Sequence, residues 1–182
     1  MAALYGTVEI CLLSVLASVT AGAREETWLN VPFVAQVGNG CGAACISMVM
    51  KYWAASEHRR PDAAADETVI RRIVSLPNSK GTFARDVTRY FVDHGFRAYV
   101  FEGAWADLEH HLAQGRPLIV AIAQGYDTFH YLVVAGIDNI QGVLLVNDPA
   151  RRKLRKLKRA DFEKAWSRCG FWTLLALPTD ES

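Results

Sequence analysis

Residues 31–53 read VPFVAQVGNGCGAACISMVMKYW, and this stretch decides the fold. It places a glutamine, Gln36, five residues before a cysteine, Cys41, with Gly38-Asn39-Gly40 between them. Glycine accepts positive φ, so this linker can turn tightly. After Gly42 the apolar residues recur at three- and four-residue steps, which predicts a helix with one buried face: Ala44, Cys45, Met48, Val49, Tyr52 and Trp53.

Cys41 therefore lies at the predicted N-terminus of a helix. The helix dipole and the unpaired N–H groups there favour a thiolate, and such cysteines have pKa values of roughly 3.5–7.5 instead of about 8.5. Two interpretations stay open from this stretch alone. Cys41 is either a reactive thiol or a small buried residue in a helix cap.

Composition indicates an ordinary globular protein. The chain has 182 residues, of which 51% are hydrophobic and 21% charged, so a packed core in one domain is expected. The formal net charge of +1 gives no reason to expect nucleic-acid binding.

The N-terminus has the pattern of a signal peptide. An apolar run over residues 10–20 precedes Ala21-Gly22-Ala23, a small-x-small cleavage pattern, and it is too short to span a bilayer. We therefore predict a signal peptide over residues 1–23, a single domain over residues 24–182, and export to the periplasm or medium. The leader lacks Lys and Arg and contains Glu9, so a cytoplasmic protein or one anchored by this segment is the alternative.

Export would leave an odd number of cysteines: Cys41, Cys45 and Cys169. At least one thiol is then free or pairs with another chain. Either a Cys45–Cys169 disulfide forms or both of these residues are buried free thiols. We interpret Cys45, one helical turn after Cys41, as a core residue.

The remaining elements follow an α+β order, with helices first and antiparallel strands second. Helices are predicted over residues 62–76, 83–94 (with Thr82 as N-cap and Gly95 as its end), 105–114 and 161–166. Strands are predicted over residues 96–101, 118–123, 131–137, 143–146 and 171–177. Adjacent His110 and His111 point in different directions, so we interpret them as surface and half-buried residues and not as metal ligands.

His130 and Asp148 stand at the open end of a predicted hairpin. His130 precedes the strand 131–137, Asp148 follows the strand 143–146, and a turn centred on Asn139 would place the two directly opposite each other. Opposed residues have Cβ atoms about 4.5–5.5 Å apart, which suits an imidazole–carboxylate hydrogen bond. Such a pair can equally be structural.

Four residues together match the needs of acyl chemistry. A thiol nucleophile (Cys41) needs a base (His130), and the base needs a group that fixes its tautomer (Asp148). A glutamine just before the nucleophile (Gln36) can donate to the developing oxyanion. These roles make Cys41, His130, Asp148 and Gln36 the candidate catalytic residues.

On three blocks the chain resembles the papain-like cysteine peptidases of the bacteriocin-processing, double-glycine-leader family. The blocks are VPFVAQVGNGCGAA from residue 31, HYLVVAGI from residue 130, and VLLVNDPA from residue 143 with DFEKAW after it. The resemblance implies a papain-like fold, in which an N-terminal helical lobe bearing the cysteine packs on a C-terminal antiparallel sheet bearing the histidine and aspartate. It also implies cleavage after small residues, often Gly-Gly, in a peptide substrate, without metal or organic cofactor. No transporter or nucleotide-binding motif is present, so we expect a stand-alone peptidase.

Two other functions stay open on the same scaffold: an acyl-transfer enzyme (amidase or transpeptidase) and a non-catalytic peptide-binding module.

The sequence also contains a basic run over residues 151–159, RRKLRKLKR. We interpret it as a solvated edge strand, in which lysines discourage edge-to-edge pairing. The alternative is a docking surface for an acidic partner or an anionic membrane. Leu154 and Leu157, three apart, could not both face one core from a strand.

Overall fold

The computed structural model describes residues 26–75, 81–125 and 128–179. The predicted signal peptide over residues 1–23, the start of the mature chain at Arg24 and the last residue of the helix predicted over residues 62–76 lie outside the described residues. No helix among the described residues is long and apolar enough to cross a membrane.

Five α-helices and seven β-strands make up the described chain. In chain order they are β1 (Glu26–Trp28), α1 (Cys41–Ser56), α2 (Glu67–Val74), α3 (Ala84–Asp93), β2 (Phe96–Glu102), α4 (Trp105–Ala113), β3 (Leu118–Ala123), β4 (Phe129–Asp138), β5 (Val143–Asp148), β6 (Arg152–Lys158), α5 (Arg159–Ser167) and β7 (Trp172–Pro178).

The strands form one antiparallel sheet in the order β2-β7-β3-β4-β5-β6, and β1 pairs with the end of β4. The predicted α+β class is thereby confirmed. The order is not that of the sequence, because β7 from the C-terminus enters between β2 and β3.

Helices cover both faces of this sheet, which refines the expected picture of one helical lobe on one sheet. Ile119, Ala121 and Val133 face a core shared with α1, α2 and α3. Leu118 and Val120, alternating with them, face a second core with α4 and α5. Strands buried on both faces read as continuous apolar runs, which explains the sequence LIVAIA of β3.

Helix α1 is buried more completely than its periodicity predicted. Every residue from Cys41 to Met50 is buried, so the prediction of a single buried face is wrong for this part of the helix. Ser47 fits into the core because its hydroxyl donates to the Ala65 carbonyl at 2.6 Å. The part of α1 that begins with Cys41 is therefore packed against neighbouring residues on all its faces.

Two helix starts differ from prediction. The helix expected over residues 62–76 is a short 3₁₀ turn (Ala63–Ala65) followed by α2, because Asp62 and Asp66 each accept a backbone N–H and start separate elements. The N-cap of α3 is Phe83 and not Thr82. Thr82 instead packs against Gly42 of α1. Gly95 ends α3 as expected, with φ at +80°.

The β4–β5 hairpin has a different register from the predicted one. Val133 lies opposite Asn147, and a β-bulge at Ala135 shifts the pairing to Gly136 opposite Leu145. His130 and Asp148 are therefore diagonal neighbours and not directly opposed. Diagonal neighbours on one face remain within reach of long side chains.

The basic run forms the edge strand β6, which confirms the edge-strand interpretation. As expected of a strand, its two leucines do not share one core, but both are partly buried. Leu154 packs on the core with α1, and Leu157 on the core with α5. Residues three apart in a strand point to opposite faces, and this sheet has a core on each face. Leu154 also has a positive φ of +51°, next to a break in the β5–β6 register.

Candidate active site

Cys41 is the first residue of α1 and is 8% exposed. The loop before it turns at Gly38, whose φ of +57° favours glycine. On the other side, a Cβ on Gly42 would lie 2.9 Å from the Cβ of Thr82. The glycines that flank the cysteine therefore allow a tight approach of loop, helix and neighbouring chain.

His130, near the start of β4, bridges the sulfur and a carboxylate. Its Nε2 lies 2.8 Å from Oδ1 of Asp148, and both side chains are almost completely buried. The imidazole also hydrogen-bonds the thiol of Cys41. Because Nε2 is engaged by Asp148, Nδ1 is the ring nitrogen left for the sulfur.

Asp148, the last residue of β5, is fully buried and has partners on both oxygens. Oδ1 accepts from His130 and from the Ala150 backbone N–H at 3.1 Å, while Oδ2 accepts from Nη1 of Arg155 at 2.7 Å. Nε of Arg151 lies 3.9 Å from Oδ2. A buried carboxylate needs such partners to stay ionised.

The electrostatics favour a thiolate–imidazolium pair. Burial opposes ionisation of Cys41, but hydrogen bonds from His130 and from the backbone of Tyr131, with the charge of His130, lower the pKa of the thiol overall. Burial also opposes protonation of His130, yet its hydrogen bonds to Asp148 and Cys41 raise its pKa to about 9. Burial raises the pKa of Asp148, but hydrogen bonds from His130 and Arg155 outweigh it and lower the value.

Gln36 lies in the wall of the same cleft as Cys41. Its backbone N–H donates to the Pro149 carbonyl at 3.0 Å, which joins the loop before α1 to the turn after Asp148. Its side-chain Nε2 donates to the Gly38 carbonyl, while Oε1 is buried without a hydrogen-bond partner. An amide nitrogen has two protons, so one N–H remains for an incoming oxygen.

The cleft around these residues has a volume of about 710 Å³. Aromatic and small residues make up much of its lining, including Phe83, Ala84, Ala121, Phe129 and Trp172. A groove of this kind can hold an extended peptide beside the thiol. The structure therefore brings three of the predicted residues, Cys41, His130 and Gln36, to one cleft. The fourth, Asp148, is buried behind His130 and contacts its imidazole.

Cys45 and Cys169 are free thiols, so the disulfide alternative is not realised. Cys45 is fully buried, and burial together with the nearby Cys41 and Asp148 raises its pKa. This is the behaviour of a core residue. Cys169 is half-buried at the cleft wall, where burial raises its pKa although Arg168 opposes the rise.

The adjacent histidines lie away from the cleft. His110 is exposed and contacts the side chain of Gln114, whereas His111 is half-buried near the ring of Phe101. Within the described ranges, no group of three His, Cys, Asp or Glu side chains could hold a metal ion.

Arg155 is the site residue that the sequence did not reveal. It belongs to the basic run, whose charges we interpreted as solvent-facing, yet it donates to the buried Asp148. The available signal was the Asp148-Pro149-Ala150 turn, which sends the chain back along β5. A return strand of this kind must pass beside the aspartate.

Comparison with known proteins places this geometry in a family. The model of the Peptidase C39-like family matches residues 28–173, most of the chain. The chain belongs to this family. Membership in the Peptidase C39-like family confirms the predicted class, a papain-like cysteine peptidase.

One relative of this C39-like chain is a processing and transport protein. The Lactococcin-G-processing and transport ATP-binding protein LagD of Lactococcus lactis subsp. lactis is 29% identical over 132 residues; the match covers 70% of this chain and 16% of LagD. The chain thus spans about one sixth of that relative's length.

Two solved structures share the fold. The peptidase domain of Streptococcus ComA, described as a bi-functional ABC transporter involved in a quorum sensing pathway, is 22% identical with a TM-score of 0.63, covering 81% of this chain and 98% of that one. A double glycine motif protease from an AMS/PCAT transporter, in complex with its leader peptide, is 20% identical with a TM-score of 0.62, covering 84% and 95%.

Proposed function

We propose that this C39-like peptidase is a cysteine endopeptidase that hydrolyses a peptide bond after small residues, Gly-Gly-like, in a leader or exported peptide. Cys41 is the nucleophile, His130 the general base and acid, Asp148 the group that orients the imidazole, and Gln36 an oxyanion donor. The substrate class rests on two relatives, LagD with its lactococcin processing and the double glycine motif protease with its bound leader peptide.

A single observation carries the catalytic assignment. The buried imidazole of His130 hydrogen-bonds the Cys41 thiol on one side and Asp148 at 2.8 Å on the other, within a cleft open to substrate. This is the relationship of nucleophile, base and orienting carboxylate that thiol catalysis needs.

The reaction then has two steps. The Cys41 thiolate attacks the scissile carbonyl. The oxyanion of the resulting tetrahedral intermediate is stabilised by Gln36 and by a backbone N–H of the first turn of α1, where N–H groups have no intrahelical acceptor. The imidazolium of His130 gives its proton to the leaving amine, which departs and leaves a thioester on Cys41. His130 then accepts a proton from water, and the resulting attack releases the acid product and the thiol.

The direct test is cleavage of candidate leader peptides by the protein and by Cys41→Ala, with the products sequenced by mass spectrometry. We expect cleavage after a Gly-Gly or similar pair by the parent protein and none by Cys41→Ala. Replacing the residue before the cut with valine should abolish cleavage if small residues are required.

Cys45→Ala is the matched control, because it removes a thiol one helical turn away that is buried in the core. It should cleave like the parent. Continued cleavage by Cys41→Ala would refute the proposal. Ligated instead of hydrolysed products would identify an acyl-transfer enzyme, and a Cys41 that does not react with thiol-directed reagents at neutral pH would identify a binding module.

For the basic edge strand we retain the proposal of an acidic partner. Arg152, Lys153, Lys156 and Lys158 are exposed along β6. Their charges would attract an acidic peptide or an anionic surface with a strong dependence on salt. Binding to an acidic peptide that does not weaken as salt rises would exclude this role.

A further inference from the structure

Arg155 differs from the other cations of its strand. Its neighbours Lys156 and Lys158 are exposed, whereas the side chain of Arg155 is 30% exposed and its Nη1 lies 2.7 Å from Oδ2 of Asp148. It therefore contacts the carboxylate that itself contacts His130.

The two oxygens of Asp148 are held by different groups. Oδ1 accepts from His130 and the Ala150 backbone, while Oδ2 accepts from Arg155. A carboxylate with only its Oδ1 partners could rotate about its last torsion angle. The guanidinium fixes the second oxygen and thereby the direction in which Oδ1 meets the imidazole.

The charges of the buried cluster also balance only when Arg155 is counted. In the ion-pair state the cluster holds a thiolate, an imidazolium and a carboxylate, which leave one negative charge in excess. Arg155 supplies the missing positive charge. Arg151 is a weaker substitute, since its Nε lies 3.9 Å from Oδ2 and its side chain is 65% exposed. Cys45, which is buried near Asp148, adds no charge to this balance because burial raises its pKa.

The backbone of β6 explains why this residue of the run turns inwards. Arg155 pairs with Val146, but the next recorded pair is Arg152 with Asp148, so β6 carries an extra residue between them. Leu154, at φ +51°, lies in this irregular segment. The bulge re-aims the strand and lets Arg155 reach Asp148, a known use of bulges beside active sites.

We propose that Arg155 is a positioning residue of the catalytic centre, which holds Asp148 in place and compensates the excess negative charge of the thiolate–imidazolium–carboxylate cluster. This inference rests on the proposed peptidase function, which it deepens. It divides the basic run into one inward residue that serves the site and outward residues that do not.

The test compares Arg155→Met and Arg155→Lys with the parent protein in two measurements. The first is kcat/KM for peptide cleavage, which should fall by about 10- to 100-fold in Arg155→Met, the range that one hydrogen bond to a charged group is worth. The second is the rate of Cys41 alkylation by iodoacetamide as a function of pH. Loss of a nearby positive charge disfavours the thiolate, so the midpoint should move to higher pH.

Arg155→Lys keeps the charge and should shift the alkylation midpoint less than Arg155→Met does. Millimolar guanidinium should restore part of the activity of Arg155→Ala, whereas equal sodium chloride should not. Lys156→Met is the matched control, because it removes a charge at the next position, where the ammonium contacts Gln141 on the surface. It should leave both measurements unchanged.

An Arg155→Met variant with the parent's kcat/KM and alkylation profile would overturn the proposal. A loss of activity that parallels a loss of folded protein, and that neither Arg155→Lys nor added guanidinium reverses, would also overturn the proposal. The alkylation experiment needs no substrate, so it tests Arg155 even if the parent cleaves no peptide. In that case the proposed function fails separately from this inference.

Discussion

Asp148→Asn separates the charge of the orienting residue from its geometry. An amide oxygen in the place of Oδ1 can still accept from Nε2 of His130, but the negative charge is lost. In the parent protein burial opposes protonation of His130, while hydrogen bonds to Asp148 and Cys41 raise its pKa from 6.5 to about 9. One pKa unit corresponds to about 1.4 kcal/mol, so after the opposing effect of burial the imidazolium is favoured by roughly 3 kcal/mol net. Hydrogen bonds to charged groups are worth about 1.5–3 kcal/mol and neutral ones about 0.5–1.5 kcal/mol, so loss of the charge should cost about 1–2 kcal/mol and lower kcat/KM about 10-fold.

The assay is kcat/KM and the rate of Cys41 alkylation, both measured against pH. The imidazolium, which protonates the leaving amine, is lost as pH rises through the pKa of His130, so the alkaline limb of the parent's kcat/KM should lie near pH 9, while alkylation of the Cys41 thiolate continues above it. In Asp148→Asn this limb should move towards the usual histidine value of about 6.5. Asp148→Ala, which also loses the acceptor, should lose more activity. An alkaline limb that stays in place in Asp148→Asn would refute the electrostatic account, even if activity fell.

Three other perturbations test neighbouring parts of the structure. Gln36→Ala should lower kcat by about 100-fold or more, as loss of an oxyanion donor does, while urea unfolding shows little change because this side chain lies at the cleft. Gly42→Ala should destabilise the protein by about 1–3 kcal/mol in the same unfolding assay, since the new Cβ would lie 2.9 Å from that of Thr82. Asp148 should stabilise the fold above its unfolded pKa of about 3.9 and lose that contribution as pH falls through its lowered folded pKa, a loss absent from acid unfolding of Asp148→Ala.

Local sequence signals predicted much of this site. The cap-like loop and helix located Cys41, and the hairpin located His130 and Asp148, because turns and alternating strands leave strong local patterns. The direct opposition of His130 and Asp148 was wrong because the hairpin is centred between Ile140 and Gln141, with Asp138 opposite Val143, and not on Asn139. The sheet order was also beyond prediction, since the entry of β7 between β2 and β3 depends on packing between distant segments.

Arg155 shows most clearly why part of the site could not be predicted. Its sequence neighbours are cations that face solvent, and a charge run is ordinarily a solvated surface. Its inward direction depends on the irregular backbone at Leu154, which no residue type there demands. The burial of α1 is a similar case, because its polar residue Ser47 is satisfied by a distant carbonyl at Ala65.

The two-sided burial of the sheet makes strand alignment vulnerable to error. In a sheet with one wet face, a slip of one residue exposes the apolar set and is strongly penalised. Here both faces are apolar at β4 and β5, so hydrophobicity alone distinguishes poorly between the native alignment and a slipped one. Asn147 supplies a distinction, since it is fully buried and its amide donates to Val31 and accepts from the Leu154 backbone. Mispaired strands would leave that amide and the adjacent Asp148 without partners, so Asn147, together with the site residue Asp148, favours the native alignment of the strands.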